Sequence, residues 1–269
     1  MAQVPIHVPF LPLLSSTFHV RTLYMLLALS TIGCAPPDPS GVLVIGHGGL
    51  GPSGQFPMDS REAILSALDL GMDGVEMDAQ LTSNGDLVAF HDLEVTTGDR
   101  AGPIHAFTLH ELNDCMGGSQ PIGRLDKILL EAIQRHPEAE FTLDVKLNTK
   151  GDWWSYLHAF TEAIIRLDSL PPLHGRILVE CRTSDFLRLM HAQAPTIPVY
   201  LYADDADLAI SEAVELGCAG VTLHTDHADE EQVAAARAKG LSITLFGITG
   251  DRTLRRAVAK RPDRVQVDQ

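Results

Sequence analysis

Two pairs of polar residues interrupt apolar runs at a spacing that matters for chemistry. Glu76 and Asp78 lie two apart in the run 74–79, and Asp144 and Lys146 lie two apart in the run 141–146. In a strand, residues two apart share a face, so each pair points one way. His47 closes the run 42–47, and His91 follows the short run that begins at Leu87. Three carboxylates brought together repel one another unless a cation lies among them. An all-oxygen donor set favours a hard ion, Mg²⁺ or Ca²⁺, over zinc. Two histidines beside such an ion form a general acid/base pair, and Lys146 suits an anionic substrate.

The elements that must position these residues follow a regular rhythm. Apolar runs rich in β-branched residues recur at 42–47, 74–79, 141–146, 176–181, 198–203, 220–224, 242–247 and 264–268. Helix-like stretches separate most of them, at 60–70, 125–135, 155–167, 184–191, 206–216, 229–239 and 252–260. Strands alternating with helices argue for a parallel sheet, and eight of them for a closed (β/α)₈ barrel, a TIM barrel. An open doubly wound sheet is the alternative, but no dinucleotide-type glycine loop follows the first strand. In a barrel the C-terminal strand ends build the active site, and His47, Glu76, Asp78, Asp144 and Lys146 all stand at such ends. After the second strand the chain makes a β-hairpin excursion through Asn84-Gly85. A two-residue turn there sets Asp78 opposite His91 and returns that histidine to the acidic residues.

The whole-chain arithmetic agrees with this. The 269 residues hold 20 Lys and Arg against 35 Asp and Glu, a formal net charge of −15. That balance excludes nucleic acid and an anionic membrane surface as principal partners. A phosphorylated small molecule stays open, because a bound cation reverses the local field. The four cysteines show neither zinc spacing nor a disulfide framework. Residues 1–33 contain no acid; Arg21 precedes an apolar run from Leu23 to Ile32, followed by Gly33 and Cys34. This is the order of a secretory signal and is too short to span a bilayer. It resembles a bacterial lipoprotein signal, with Thr31 departing from the usual Leu. The expectation is a removed signal at 1–33, a Pro-rich tether at 34–41 and a barrel at 42–269. Lipidated Cys34 would then hold the chain in the cell envelope as its one attachment to membrane.

The runs Ile45-Gly46-His47-Gly48-Gly49, Pro57-Met58-Asp59-Ser60, Gly71 through Asp78, Leu81 through Gly85 and Phe90-His91-Asp92 together resemble glycerophosphodiester phosphodiesterases. Phe141 through Lys146 is similar to that family's Glu-x-Lys strand with Asp in place of Glu, and Val265 through Asp268 to its closing strand. The resemblance implies a (β/α)₈ barrel with one divalent cation, Mg²⁺ or Ca²⁺, and hydrolysis of a glycerophosphodiester to glycerol phosphate and an alcohol. By position it implies His47 and His91 as the acid/base pair, Glu76, Asp78 and Asp144 as metal ligands, and Lys146 as the phosphate contact. Two positions depart from the family: Gly48 stands where it has Arg, and Met58 where it has Glu. The two missing residues read as an ion pair lost together, since losing one alone strands a buried charge. Arg182, just past the fourth strand, is the candidate replacement at the phosphate. Two other readings keep the barrel: a phospholipase D-type enzyme acting on lysophospholipids or sphingolipids, and a phosphodiester-binding lipoprotein without turnover. Trp153, Trp154 and Phe246 are candidates to line a pocket for the alcohol, or plain packing. His224-Thr225-Asp226-His227 reads as loop polarity rather than a metal site.

Overall fold

The eight barrel strands owe their positions to a two-faced pattern. Val75, Met77, Phe141, Leu143, Val179, Val199, Leu201, Val221, Leu223, Ile243, Leu245, Val265 and Val267 alternate with polar or small residues and join one buried cluster with the apolar stripes of the helices. The main core therefore lies between sheet and helices, while the lumen face carries mostly polar side chains with Ile45 and Leu178 buried among them.

The computed structural model describes residues 41–268 apart from 53, 98 and 116–120. The expected signal, Cys34 and nearly all of the tether lie outside the described residues. In order the elements are β1 (Leu43–Gly46), α1 (Arg61–Asp69), β2 (Gly74–Leu81), β3 (Leu87–Ala89), β4 (Glu94–Thr97), β5 (Arg100–Pro103), α2 (Leu109–Cys115), β6 (Gly123–Arg124), α3 (Leu125–Arg135), β7 (Glu140–Val145) and α4 (Trp153–Asp168). There follow β8 (Ile177–Cys181), α5 (Ser184–Gln193), β9 (Val199–Ala203), α6 (Ala206–Leu216), β10 (Gly220–His224), α7 (Glu230–Ala238), β11 (Ser242–Ile248), α8 (Asp251–Ala259) and β12 (Arg264–Val267). Strands β1, β2, β7, β8, β9, β10, β11 and β12 pair in parallel in that order, and β12 pairs with β1 to close the barrel. Helices start on side-chain caps: Ser60 accepts from Ala63 N, Asp152 from Ser155 N and Asp205 from Leu208 N, while Asp229 and Gln232 form a capping box. No helix among the described residues is long and apolar enough to cross a membrane.

The excursion after β2 corrects the expected register. β2 and β3 pair Ala79 with Ala89, Gln80 with Val88 and Leu81 with Leu87. Phe90, not His91, lies opposite Asp78, and its N–H donates to Asp78 O at 2.9 Å. The turn is longer than two residues because Thr82 and Asp86 close it themselves: Thr82 N–H donates to Asp86 O at 3.0 Å and Asp86 N–H to Thr82 Oγ1 at 3.0 Å. That leaves Ser83-Asn84-Gly85 as a three-residue loop with Gly85 at φ +82°, the left-handed third position of such hairpins. A one-residue slip changes the face each side chain occupies. Beyond β3 the chain forms the separate β4–β5 ribbon and α2, then returns through β6 to pair with β3. This excursion has its own apolar cluster of Val88, Val95, Ile104, Phe107, Leu112 and Ile122.

Candidate active site at the barrel mouth

The ladder register lines up the acidic residues across three strands. Asp78 on β2 pairs with Asp144 on β7, and Asp144 pairs with Glu180 on β8. Glu76 shares their face two residues deeper. Carboxylate oxygens of Glu76, Asp144 and Glu180 lie within 4.8 Å of one another, and all three residues are buried. An all-oxygen, anionic donor set of this size fits a hard divalent cation. Glu76 Oε2 accepts Gly48 N–H at 3.0 Å. Glu180 is fixed by Thr222 Oγ1 at 2.6 Å and by Gln266 Nε2 at 3.0 and 3.2 Å.

Burial without a bound cation makes ionisation of this group costly. Glu76 is held well above the usual carboxylate range by burial and then by the charges of Asp78, Asp144 and Glu180. Glu180 is pushed up to about 7 by burial and the Asp144 charge. Asp144 also rises, through burial that Lys146 only partly offsets. The Lys146 ammonium lies 2.9 Å from Asp78 Oδ1 and bonds Asp144 Oδ2. Burial lowers its pKa, but the two carboxylates outweigh burial and raise it. Below Asp78 sits Asp59, at φ +62°, whose Oδ1 accepts Asp78 N–H at 2.9 Å and whose own N–H donates to Gly48 O at 3.0 Å. It clips the loop after β1 to β2. Burial and the Asp78 charge hold Asp59 well above the usual carboxylate range.

His47 follows β1 and enters the same space. Its Nδ1 is 2.7 Å from Asp268 Oδ1, and its Nε2 is 3.9 Å from Glu76 Oε2. With Asp268 ionised, Nδ1–H donates and Nε2 is left to exchange a proton. Burial disfavours the imidazolium, yet the hydrogen bond and charge of Asp268, with Asp78 and Glu180 behind, raise the His47 pKa above its ordinary value. His91 lies at the rim, its side chain 66% exposed and its Nδ1 bonded to Asp92 Oδ1 at 2.9 Å. Gln80 Nε2 donates to Phe90 O at 2.7 Å and Asp92 O at 2.8 Å, which ties the segment carrying His91 to the end of β2. Arg182, two residues beyond Glu180, is bidentate to Asp204 at 2.8 and 3.1 Å.

The model of the glycerophosphoryl diester phosphodiesterase family matches residues 50–269. The chain belongs to that family. A glycerophosphodiester phosphodiesterase of Caldanaerobacter subterraneus subsp. tengcongensis is 40% identical over 112 residues, which cover 40% of this chain and 45% of that protein. An uncharacterized Bacillus subtilis protein is 45% identical over 153 residues, 55% of this chain and 61% of that protein. The chain thus spans about half the length of the curated relatives it matches. Among solved structures, a glycerophosphodiester phosphodiesterase from Parabacteroides distasonis superposes with a TM-score of 0.71 at 19% identity, covering 85% of this chain and 93% of that one. An Oleispira antarctica phosphodiesterase in complex with the product sn-glycerol-3-phosphate superposes at 0.69 and 22% identity, covering 84% and 92%.

Within the family pattern, the two departures touch each other. A Cβ on Gly48 would lie 2.5 to 3.0 Å from three Met58 side-chain atoms, and Gly48 sits at φ +53°. Met58 fills the ground that a side chain at 48 would cross. Reasoning from sequence passed over Glu180, Asp268 and Asp59. Glu180 carried a usable signal, standing two residues before Arg182 near the end of a strand. Asp268 becomes visible once the barrel is closed: Gly46 pairs with Val267, which sets His47 beside Asp268. Of the tryptophans, Trp153 packs against the main core, and Trp154 stands 53% exposed at the start of α4.

Proposed function

We propose that the chain hydrolyses glycerophosphodiesters to glycerol phosphate and an alcohol. The observation that carries this reading is the His47–Asp268 pair beside the buried Glu76, Asp144 and Glu180 oxygens, at the C-terminal end of a barrel of this family. Glu76, Asp78 and Asp144, with Glu180 beside them, would hold one divalent cation, Mg²⁺ or Ca²⁺, which supplies charge withdrawal from the phosphoryl oxygens. Lys146 and Arg182 follow Asp144 and Glu180 by two residues on adjacent strands, so they stand above the acidic row. Lys146 offers its ammonium to the outer phosphate oxygens, and Arg182 its guanidinium in place of the one missing at 48. His47 Nε2 exchanges a proton with the attacking or departing oxygen, Asp268 holding the ring, while His91 at the rim serves the other oxygen. The cleaved P–O bond yields the alcohol with its proton from one histidine, and the nucleophile loses its proton to the other; that nucleophile is water, or a substrate hydroxyl whose cyclic diester water then opens to glycerol phosphate. His47→Ala and His91→Ala should each abolish hydrolysis in a folded protein; full turnover by both would refute the assignment. Chelation should stop hydrolysis and added Mg²⁺ or Ca²⁺ restore it.

Attachment to the cell envelope through a lipidated Cys34 belongs to the same proposal and is supported by the residue order around positions 21–34. Cys34→Ala should move the protein from the membrane fraction to the soluble fraction; unchanged partition would remove the anchor.

A further inference from the structure

The half of the mouth that faces the acidic row is walled by rings. In the barrel order β10 stands across from β2, β11 across from β7, and β9 across from β1. The ladder from Asp144 to Glu180, Glu180 to Tyr200 and Tyr200 to Gly220 carries the lumen face onto these three strands. Two-residue alternation then turns Tyr202, His224 and Phe246 inward at their upper ends. Deeper on that face β10 and β11 carry small residues, the paired and buried Thr222 and Thr244, while β9 carries the buried Tyr200.

The rings are fixed to one another. Phe246 meets Tyr202 with centroids 5.1 Å apart at 85°, and meets His224 at 5.1 Å and 85°. It is thus flanked by two rings that stand upright to it. His224 Nδ1 accepts Asp226 N–H at 3.1 Å. Polar groups rim the wall: the Arg182 guanidinium lies 3.9 Å from the Tyr202 centroid while bidentate to Asp204, and His227 stands 5.1 Å from His224. None of Tyr202, His224 or Phe246 is fully buried.

We infer that this wall is the subsite for the alcohol arm of the substrate, and that it takes an uncharged ring polyol, a sugar or a cyclitol. The inference rests on the phosphodiesterase reading, because it places one arm of a diester whose phosphate lies over Asp144 and Glu180. Aromatic faces pack against the C–H face of such a ring, and Asp204 and His227 offer polar partners to its hydroxyls. A quaternary ammonium fits worse. The Tyr202 ring it would use already carries a guanidinium, and the Asp204 charge that would balance it is neutralised by Arg182. A long acyl chain fits worse still, since the rim is ionic.

The test compares glycerophosphoinositol with glycerophosphocholine in wild-type protein, Phe246→Leu and Tyr202→Leu, each checked for an unchanged unfolding midpoint. Wild type should favour the inositol diester in kcat/KM. Each variant should lose about tenfold more on the inositol diester than on the choline diester, the size of effect one stacked ring supplies. Preference for the choline diester, or equal losses on both, overturns the inference. A second measurement needs neither turnover nor a variant: saturation-transfer NMR should detect free myo-inositol on wild type, and choline should not compete with it. Hydrolysis of neither diester together with myo-inositol binding would sink the phosphodiesterase reading and keep the polyol site. Hydrolysis without myo-inositol binding would sink the polyol site alone.

Discussion

At the scale of residues, Asp268 is the group whose role can be isolated most cleanly. It reaches His47 Nδ1 at 2.7 Å and holds a carboxylate against a ring whose other nitrogen faces the acidic row. Asp268→Asn keeps the size of the side chain but presents a neutral amide. Turnover should fall by roughly 10²- to 10⁴-fold, the range expected when a histidine loses its orienting carboxylate. The affinity for Ca²⁺, measured by calorimetry, should stay near wild type, and the His47 pKa followed by NMR should drop. Turnover within twofold of wild type would show that Asp268 only packs. Gly48 invites a second substitution. Gly48→Arg places a side chain at φ +53° and into Met58, so a strain of about 1 kcal/mol from the backbone adds to overpacking of about 1–3 kcal/mol. Adding Met58→Ala should recover the packing part, read as a partial return of the unfolding midpoint; no recovery would mean that the two positions are not coupled.

Elements were legible where their pattern was long and regular. All eight barrel strands fall within the expected runs to a residue or two, because β-branched residues alternate there with polar ones and helices with clear caps lie between. His47, Glu76 and Asp144 were legible for a related reason: His47 follows β1, Asp144 stands near the end of β7, Glu76 lies two residues deeper on β2, and parity alone gives their face. The hairpin that opens the excursion was legible in Asn84-Gly85, but its register and the elements beyond β3 were not. β4, β5 and β6 hold four, four and two residues, too few to show a period, and their pairing is decided by the small cluster around Phe107. The hairpin register was missed because Asn84-Gly85 satisfies a two-residue turn in sequence, while the side-chain bonds between Thr82 and Asp86 select three. Glu180 and Asp268 required knowing which strand ends are neighbours, a property of barrel closure rather than of any local run. Gly85 gives a test at this scale. Gly85→Ala retains the loop but puts a Cβ at φ +82°, and should cost about 1 kcal/mol in urea unfolding. An unchanged midpoint would argue that the left-handed residue does not set the register.

For the molecule as a whole, the acidic excess and the buried row act on stability together. An ordinary carboxylate is already ionised at pH 5.5 in folded and unfolded chain alike and contributes little slope between pH 5.5 and 8.5. Glu180 is different: burial and the Asp144 charge raise it from an ordinary 4.5 to about 7. Glu76 and Asp144 are raised in the same direction. A carboxyl with a raised folded pKa binds more protons in the folded state than in the unfolded state across that interval. Its stabilising share is complete below the unfolded pKa and is lost as pH climbs through the folded one. His47, raised above its ordinary value by Asp268, loses its share in the same sense as pH climbs. Chelated protein should therefore unfold at a higher temperature at pH 5.5 than at pH 8.5, a stability difference of about 2 kcal/mol if Glu180 alone sets it. A divalent cation replaces the proton as the partner of these oxygens. Saturating Ca²⁺ or Mg²⁺ should raise the midpoint most at pH 8.5 and remove most of the slope. Glu180→Gln should flatten the chelated profile without any ion present, because an amide of the same shape carries no charge to bury. A midpoint that rises with pH in chelator, or a Glu180→Gln protein with the wild-type slope, would place the stability of this barrel elsewhere than in its mouth.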